Sequence, residues 1–295
     1  MDEGAGRMPW KVAFVVLLLL AGAIGCDRQD AAVAVPCRAG VDALLEENDP
    51  ARAVGLLSGC IDDGEPSPSD LNFLLFMRGM AKLGRDDKEG ALADLAAAVA
   101  ADPDNLGNSR VHSASGHVHS LLGDYPEAVD QFSKGMAFGP VSARQFFARG
   151  LAHFGLGDFE AAARDFRESQ ALEPDRAWHT LWLYLAGARA GRADLAQLEA
   201  HRRAAADHGS HAAVFDLFAG DLSPGALLEG RSDDDTRDGR LGRCDRLTYA
   251  GQFLILQDDP DRALALLEEA ARAEPRDCVS SPVLQGELDR LRRRD

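Results

Sequence analysis

The chain has 295 residues, of which 46% are hydrophobic and 6% are aromatic. This hydrophobic content is ordinary for a globular protein and excludes wholesale disorder. The formal net charge is −16. It argues against a nucleic-acid-binding protein and against broad adhesion to anionic lipid, because both need a basic surface.

The N-terminus has the pattern of an export signal. Arg7 and Lys11 form a basic start, and the uncharged stretch that follows has about 14 residues, whereas a membrane-spanning helix needs roughly 20. We therefore predict a signal peptide over residues 1–25. The segment Ala23-Ile24-Gly25-Cys26 resembles a lipobox, in which the cysteine thiol carries lipid. Cys26 is the predicted lipidation site, and the alternatives are an ordinary cleaved signal and an uncleaved anchor.

A self-similarity with a period of 34 residues organises the middle of the chain. Eight positions recur as the same or a similar residue type. They are Gly116, Leu122, Gly123, Asp124, Tyr125, Ala128, Phe132 and Pro140, which return as Gly150, Leu156, Gly157, Asp158, Phe159, Ala162, Phe166 and Pro174. The pattern resembles the tetratricopeptide-repeat (TPR) consensus. Small residues at repeat positions 8 and 20 let two antiparallel helices approach closely, and proline at position 32 ends the second helix. The predicted fold is an all-α TPR solenoid with a C-terminal capping helix.

The same frame extends the array in both directions. Units that begin at residues 72 and 244 keep most signature positions, whereas the units at 34–66 and 177–207 are degenerate. After the anchor linker 26–33, we predict a TPR array over 34–213, an acidic insert over 214–243, and the last unit with the capping helix over 244–293.

The cysteines support export. If Cys26 carries lipid, four remain, an even number that suits an oxidising compartment. Cys37 and Cys60 lie at positions 4 and 27 of one helical hairpin, and Cys244 and Cys278 lie one repeat apart. We predict the disulfides Cys37–Cys60 and Cys244–Cys278, with four free buried thiols as the alternative.

Three features outside the repeats carry a closer resemblance. They are the lipobox, the segment Leu181-Trp182-Leu183-Tyr184-Leu185-Ala186, and the insert from Phe215 to Leu228 before the last repeat. This layout looks like the NlpI-type TPR lipoproteins of Gram-negative bacteria. The resemblance implies a periplasm-facing scaffold, often a homodimer, that docks a processing protease and peptidoglycan hydrolases. Extra cysteines and Asp27 depart from the pattern, and Asp27 leaves both the inner and the outer membrane open as the address.

Partner proteins are expected in the concave groove of the array. In TPR arrays the first helix of each unit lines that groove with positions 2, 5, 9, 12 and 13. The groove residues predicted on this basis are Phe73, Phe76, Met80, Arg110, Ser113, His117, Arg144, Phe147, Leu151 and Phe154. An apolar groove edged by arginine suits an extended or helical peptide, although some of these side chains could instead pack against neighbouring turns. We expect Phe76→Ala combined with Phe147→Ala to weaken partner capture without unfolding the array.

Catalytic and metal-binding patterns are missing from the sequence. There is no His-Glu-x-x-His, Gly-x-Ser-x-Gly or Cys-x-x-Cys motif. We expect no enzymatic activity, no cofactor, no metal and no nucleic-acid partner. The leading interpretation is an adaptor of the cell envelope. The alternative is an assembly lipoprotein or pilotin for outer-membrane proteins, pili or secretion.

Overall fold

A computed structural model describes residues 35–204, 211–229, 242–272 and 280–293. Within these ranges the regular structure consists of fifteen α-helices and no strand. The helices are α1 (Val35–Leu45), α2 (Pro50–Asp63), α3 (Pro68–Gly84), α4 (Lys88–Ala101), α5 (Asn108–Leu122), α6 (Tyr125–Met136), α7 (Ala143–Leu156), α8 (Phe159–Leu172), α9 (Ala177–Arg189), α10 (Leu195–Ala204), α11 (Ala212–Ala219), α12 (Pro224–Glu229), α13 (Arg243–Leu256), α14 (Pro260–Arg272) and α15 (Ser281–Arg292). The predicted all-α TPR solenoid is confirmed.

The chain forms two compact units. Unit 1 contains the described residues up to Val118 together with Lys134–Gly139, and unit 2 contains His119–Ser133 and the described residues from Pro140 onward. The core of unit 1 is aliphatic, with Leu57 and Leu95 fully buried. The main core of unit 2 is aromatic and surrounds Trp182, which is also fully buried.

The turn between the two helices of each unit has the same backbone conformation throughout the array. Repeat position 15 adopts a positive φ in all six units, including both degenerate ones. The residues are Asn48 (φ 53°), Asp86 (64°), Gly123 (80°), Gly157 (92°), Gly191 (73°) and Asp258 (57°). Glycine reaches this left-handed region without steric cost, and asparagine and aspartate are the side chains that tolerate it best. The turn therefore marks six structural repeats.

An aspartate at position 16 precedes the second helix in five units, and in four of them its carboxylate caps that helix. The Asp49, Asp87, Asp158 and Asp259 carboxylates each accept a hydrogen bond from the backbone N–H three residues later, at 2.9 to 3.3 Å. Each carboxylate satisfies an amide that the first helical turn leaves without a partner, and its charge is favourable at the positive end of the helix dipole.

Glycine at position 8 sets the distance between paired helices. A Cβ atom on Gly150 would lie 2.7 Å from Cε1 of Phe166, and one on Gly251 would lie 2.8 Å from Cδ2 of Leu267. Both distances are too short for carbon atoms, so a larger residue at either position would force the facing side chain to move. The sequence pattern predicts this close approach.

A buried ion pair recurs at positions 7 and 23. Arg78 binds Asp94 through two hydrogen bonds of 2.8 Å in unit 1, and Arg149 binds Asp165 in the same way in unit 2. Burial disfavours the charged form of Asp94, but hydrogen bonds from Arg78 and Lys82 outweigh it and hold the pKa of this carboxyl below its usual value. The two-hydrogen-bond geometry fixes the angle between the helices of each pair.

Candidate protein-binding surface

Six of the predicted groove residues lie in unit 1, on α3 and α5, and they divide by exposure. Phe76 and Met80 are each only 3% exposed, so their side chains belong to the core. Phe73, Arg110, Ser113 and His117 are partly exposed. We refer to these four residues as the unit 1 surface.

The unit 1 surface combines an apolar, a cationic and a neutral polar group. The guanidinium of Arg110 lies 5.9 Å from the centroid of the Phe76 ring, a cation–π arrangement, and Arg110 forms no ion pair within the described residues. Although His117 is partly exposed, desolvation by the surrounding protein lowers its pKa to about 4, which keeps the ring neutral near pH 7. The Ser113 hydroxyl donates to the carbonyl of Ser109 at 2.7 Å and keeps the capacity to accept a hydrogen bond.

The other four predicted groove residues lie on α7 in unit 2. Arg144 is partly exposed, and burial lowers the pKa of its guanidinium. Phe147, Leu151 and Phe154 are buried, with exposures of 8%, 5% and 0%. The Phe154 ring packs edge-on against Trp182 at 5.1 Å between centroids. These three side chains therefore stabilise the core and offer little surface to a partner.

Burial also changes what the Phe76→Ala and Phe147→Ala variants would report. Truncating a buried phenylalanine typically costs about 3–5 kcal/mol through lost packing and the cavity left behind. Both rings are more than nine-tenths buried, so this pair of changes would destabilise the array, and a loss of capture would not report a partner contact alone. Phe73 and Arg110 are the suitable positions instead.

The C-terminal helix α15 covers the end of α7 in unit 2. The backbone N–H of Gly286 donates to the Tyr125 hydroxyl at 2.8 Å. Arg290 donates to the carbonyl oxygens of Gly155 and Phe154 at 2.6 and 3.1 Å. A Cβ atom on Gly286 would overlap the Gly155 carbonyl oxygen. The predicted capping helix thus covers part of α7, where the repeat pattern predicts a partner-binding groove.

A buried ionic cluster holds α15 in this place. Glu287 is fully buried, and its two carboxylate oxygens accept hydrogen bonds from Arg189 at 3.0 Å each. Arg290 adds a contact to Glu287 at 2.6 Å, and Gln252 accepts from Arg189 at 3.1 Å. The Arg189 guanidinium also lies 4.4 Å from the centroid of the Phe159 ring. The repeat pattern does not predict this cluster, because its members lie on helices far apart in the chain.

The structure describes three of the five cysteines. A disulfide bond joins Cys37 and Cys60, with 5.4 Å between their Cα atoms. Cys244 is also disulfide-bonded. Its predicted partner Cys278 and the predicted lipidation site Cys26 lie outside the described residues.

Two other kinds of feature are absent from the described ranges. No group of three or more histidine, cysteine, aspartate or glutamate side chains there has the arrangement of a metal site. No described helix is both long enough and apolar enough to cross a membrane. The predicted signal peptide 1–25, the predicted anchor linker 26–33 and residues 230–241 of the predicted acidic insert fall outside the described residues.

A family model for the tetratricopeptide repeat matches residues 143–176, which span α7 and α8 with their loop. Residues 143–176 are a TPR unit. Its bounds coincide with the third well-formed repeat of the sequence frame, which carries the Arg149–Asp165 ion pair.

A solved structure of a tetratricopeptide-repeat protein supports the fold, and two further proteins are similar over part of the chain. A tetratricopeptide-repeat protein from Parabacteroides merdae has a solved structure that superposes with a TM-score of 0.57 at 14% identity, covering 86% of this chain and 97% of that one. MamA from Desulfovibrio magneticus RS-1 superposes with a TM-score of 0.48 at 18% identity, covering 55% and 89%. A Protein SGT1 homolog from Bos taurus is 28% identical over 109 residues, which span 37% of this chain and 31% of that protein.

Proposed function

We propose that this protein is a lipid-anchored TPR scaffold that faces the periplasm and binds partner proteins of the cell envelope. The observation that carries the binding role is the unit 1 surface, defined by Phe73, Arg110, Ser113 and His117. In unit 1 these first-helix residues stay partly exposed, whereas α15 covers the end of α7 in unit 2.

The chemistry of the unit 1 surface suits an extended or helical peptide. Phe73 supplies apolar contact area, and Arg110 supplies a positive charge in a chain of net charge −16. His117 stays neutral near pH 7, because burial lowers its pKa to about 4, and its ring can exchange hydrogen bonds with peptide groups. Arginine and aromatic side chains are common among the residues that dominate the binding energy of protein–protein interfaces.

The anchor and the partner classes rest on the sequence. Lipid on Cys26 would confine the protein to a membrane surface and raise the local concentration of whatever it binds. The resemblance to NlpI-type lipoproteins favours peptidoglycan hydrolases or a processing protease as partners. It also favours a homodimer.

Crosslinking in intact cells, followed by purification from the membrane fraction, tests the proposal. We expect the wild-type protein to capture envelope proteins, and Phe73→Ala combined with Arg110→Ala to lose at least tenfold of that capture. The matched control is Arg85→Ala, which removes an exposed arginine of unit 1 from outside this surface. Equal capture by all three proteins would show that the unit 1 surface does not bind partners.

The anchor is tested separately. We expect Cys26→Ala to move the protein out of the membrane fraction and to remove the acyl mass from its N-terminal peptide. A wild-type N-terminal peptide without acyl groups would contradict lipidation at Cys26.

A further inference from the structure

A small aromatic cavity lies in unit 2 among α9, α11 and α13. Its volume is about 250 Å³. The lining residues are Tyr184, Ala188, Ala193, Phe218, Phe253, Leu256 and Gln257. None of these side chains carries a formal charge. The repeat pattern alone does not predict the cavity, because Phe218 comes from the insert.

The aromatic wall of the cavity is fixed by packing. The Phe218 ring is 6% exposed, and its centroid lies 5.6 Å from that of Tyr184 and 6.1 Å from that of Phe253. Tyr184 and Phe253 are themselves partly exposed. A guest side chain would therefore meet preformed ring surfaces and would order few groups on binding.

The size of the cavity restricts its guest. Sites for small molecules and cofactors usually enclose about 300–1,000 Å³, which is more than this cavity offers. One large apolar side chain of a bound protein is the better match. Aromatic anchors in such pockets commonly dominate the energy of protein–protein interfaces.

The charges beside the cavity restrict the sequence around that side chain. Both adjacent arginines already pair with carboxylates: Arg189 with Glu287 at 3.0 Å and Arg192 with Glu160 at 2.9 Å. Asp194 follows the lining residue Ala193 in the chain, and Asp258 follows Gln257.

Both aspartates are exposed, and neither forms an ion pair within the described part of the chain. The Asp194 carboxylate also accepts a hydrogen bond from the backbone N–H of Gln197 at 2.9 Å, at the start of α10. Because each aspartate directly neighbours a lining residue in the chain, the two carboxylates add negative charge beside the cavity. Basic residues on either side of the guest would complement this charge.

We propose that this cavity is an anchor pocket for a phenylalanine-like side chain within a basic segment of a partner protein. The inference rests on the proposed scaffold function and adds the chemistry of one partner segment. It places a second contact in unit 2, in addition to the unit 1 surface.

Short peptides titrated into the full-length protein test the pocket. The probes are three blocked pentapeptides: Lys-Lys-Phe-Lys-Lys, Lys-Lys-Ala-Lys-Lys and Glu-Glu-Phe-Glu-Glu. The readout is the NMR shift of the Ala188 and Leu256 methyl groups, together with nuclear Overhauser contacts from the peptide ring to Ala188. We expect saturable shifts with the first peptide and at least tenfold weaker binding of the other two.

A pair of matched variants tests the charge of the rim. Asp258→Asn removes one carboxylate and keeps a residue type that tolerates the positive φ at this position. Asp86→Asn makes the same change at the same turn position in unit 1, where φ is also positive. We expect the first variant to weaken Lys-Lys-Phe-Lys-Lys binding about twofold to fivefold at low salt, and the second to leave it unchanged.

The results separate the pocket from the scaffold function. The anchor pocket is rejected if the phenylalanine peptide does not shift the Ala188 methyl group, if the alanine or acidic peptide binds equally well, or if both variants respond alike. Crosslinked partners that persist in that case keep the scaffold function intact. Crosslinking that captures no envelope protein would reject the scaffold function, whatever the peptides do.

Discussion

The ionic cluster around Glu287 gives a sharp test of how α15 is held. In Glu287→Gln the Arg189 guanidinium stays where it is, with a side chain only 11% exposed, but it loses its carboxylate. Removing one partner of a buried ion pair usually costs about 3–5 kcal/mol, because the remaining charge is left without compensation. We expect a loss of this size in the free energy of unfolding of unit 2.

The assay is urea unfolding followed by tryptophan fluorescence, since all the tryptophans of the described residues lie on α9, the helix that carries Arg189. Arg189→Met combined with Glu287→Met removes both charges and should be less destabilising than Glu287→Gln alone. Arg192→Met is the control. It breaks an ion pair whose two side chains are 65% and 61% exposed, so we expect a change below about 1 kcal/mol. Equal effects of Glu287→Gln and Arg192→Met would refute the assigned role of the cluster.

Three further predictions follow from the structure. Replacing Cys37 and Cys60 with serine opens a loop whose ends are 23 residues apart. The free energy of unfolding of unit 1 should fall by about 3 kcal/mol in the chain-entropy model. Urea unfolding of the variant measures this loss, and an unchanged midpoint would contradict it. Because burial lowers the pKa of folded His117 to about 4 from 6.5, only the unfolded chain takes up this proton as pH falls from 6.5 to 4. The free energy of unfolding should therefore fall by up to roughly 1.4 kcal/mol per pH unit over this range. His117→Gln should reduce the slope of unfolding free energy against pH, and an equal slope in this variant would contradict the role assigned to His117. Gly286→Ala places a methyl group against the Gly155 carbonyl and should lower the melting temperature of unit 2 by several degrees, whereas an unchanged melting curve would show that α15 can shift freely.

The repeats could be read from the sequence because their signals are local. Glycine at position 8, the position-16 aspartate and the proline after the second helix each act within one hairpin. The turns of the degenerate units could also be predicted from their residue types. Asn48 stands where three other units carry glycine and two carry aspartate, and asparagine is a residue type that adopts positive φ.

The placement of α15 could not be read in this way. Arg290 and the carbonyl of Gly155 lie 135 residues apart, and no sequence pattern near either residue predicts the contact. The TPR consensus assigns Phe147 and Phe154 to a groove because it describes an open array. In this chain aromatic side chains from α8 and α9 pack on them, and α15 binds the end of α7. Burial therefore follows from contacts that the repeat pattern does not encode.

Site-specific photocrosslinking in intact cells tests the central claim most directly. A photoreactive amino acid placed at Ser113 reports contacts of the unit 1 surface, and one placed at the exposed Glu89 on α4 reports a site away from it. The scaffold account predicts an adduct with an envelope protein from position 113 that is absent from position 89. Position 113 giving no adduct, or the same adducts as position 89, would contradict it.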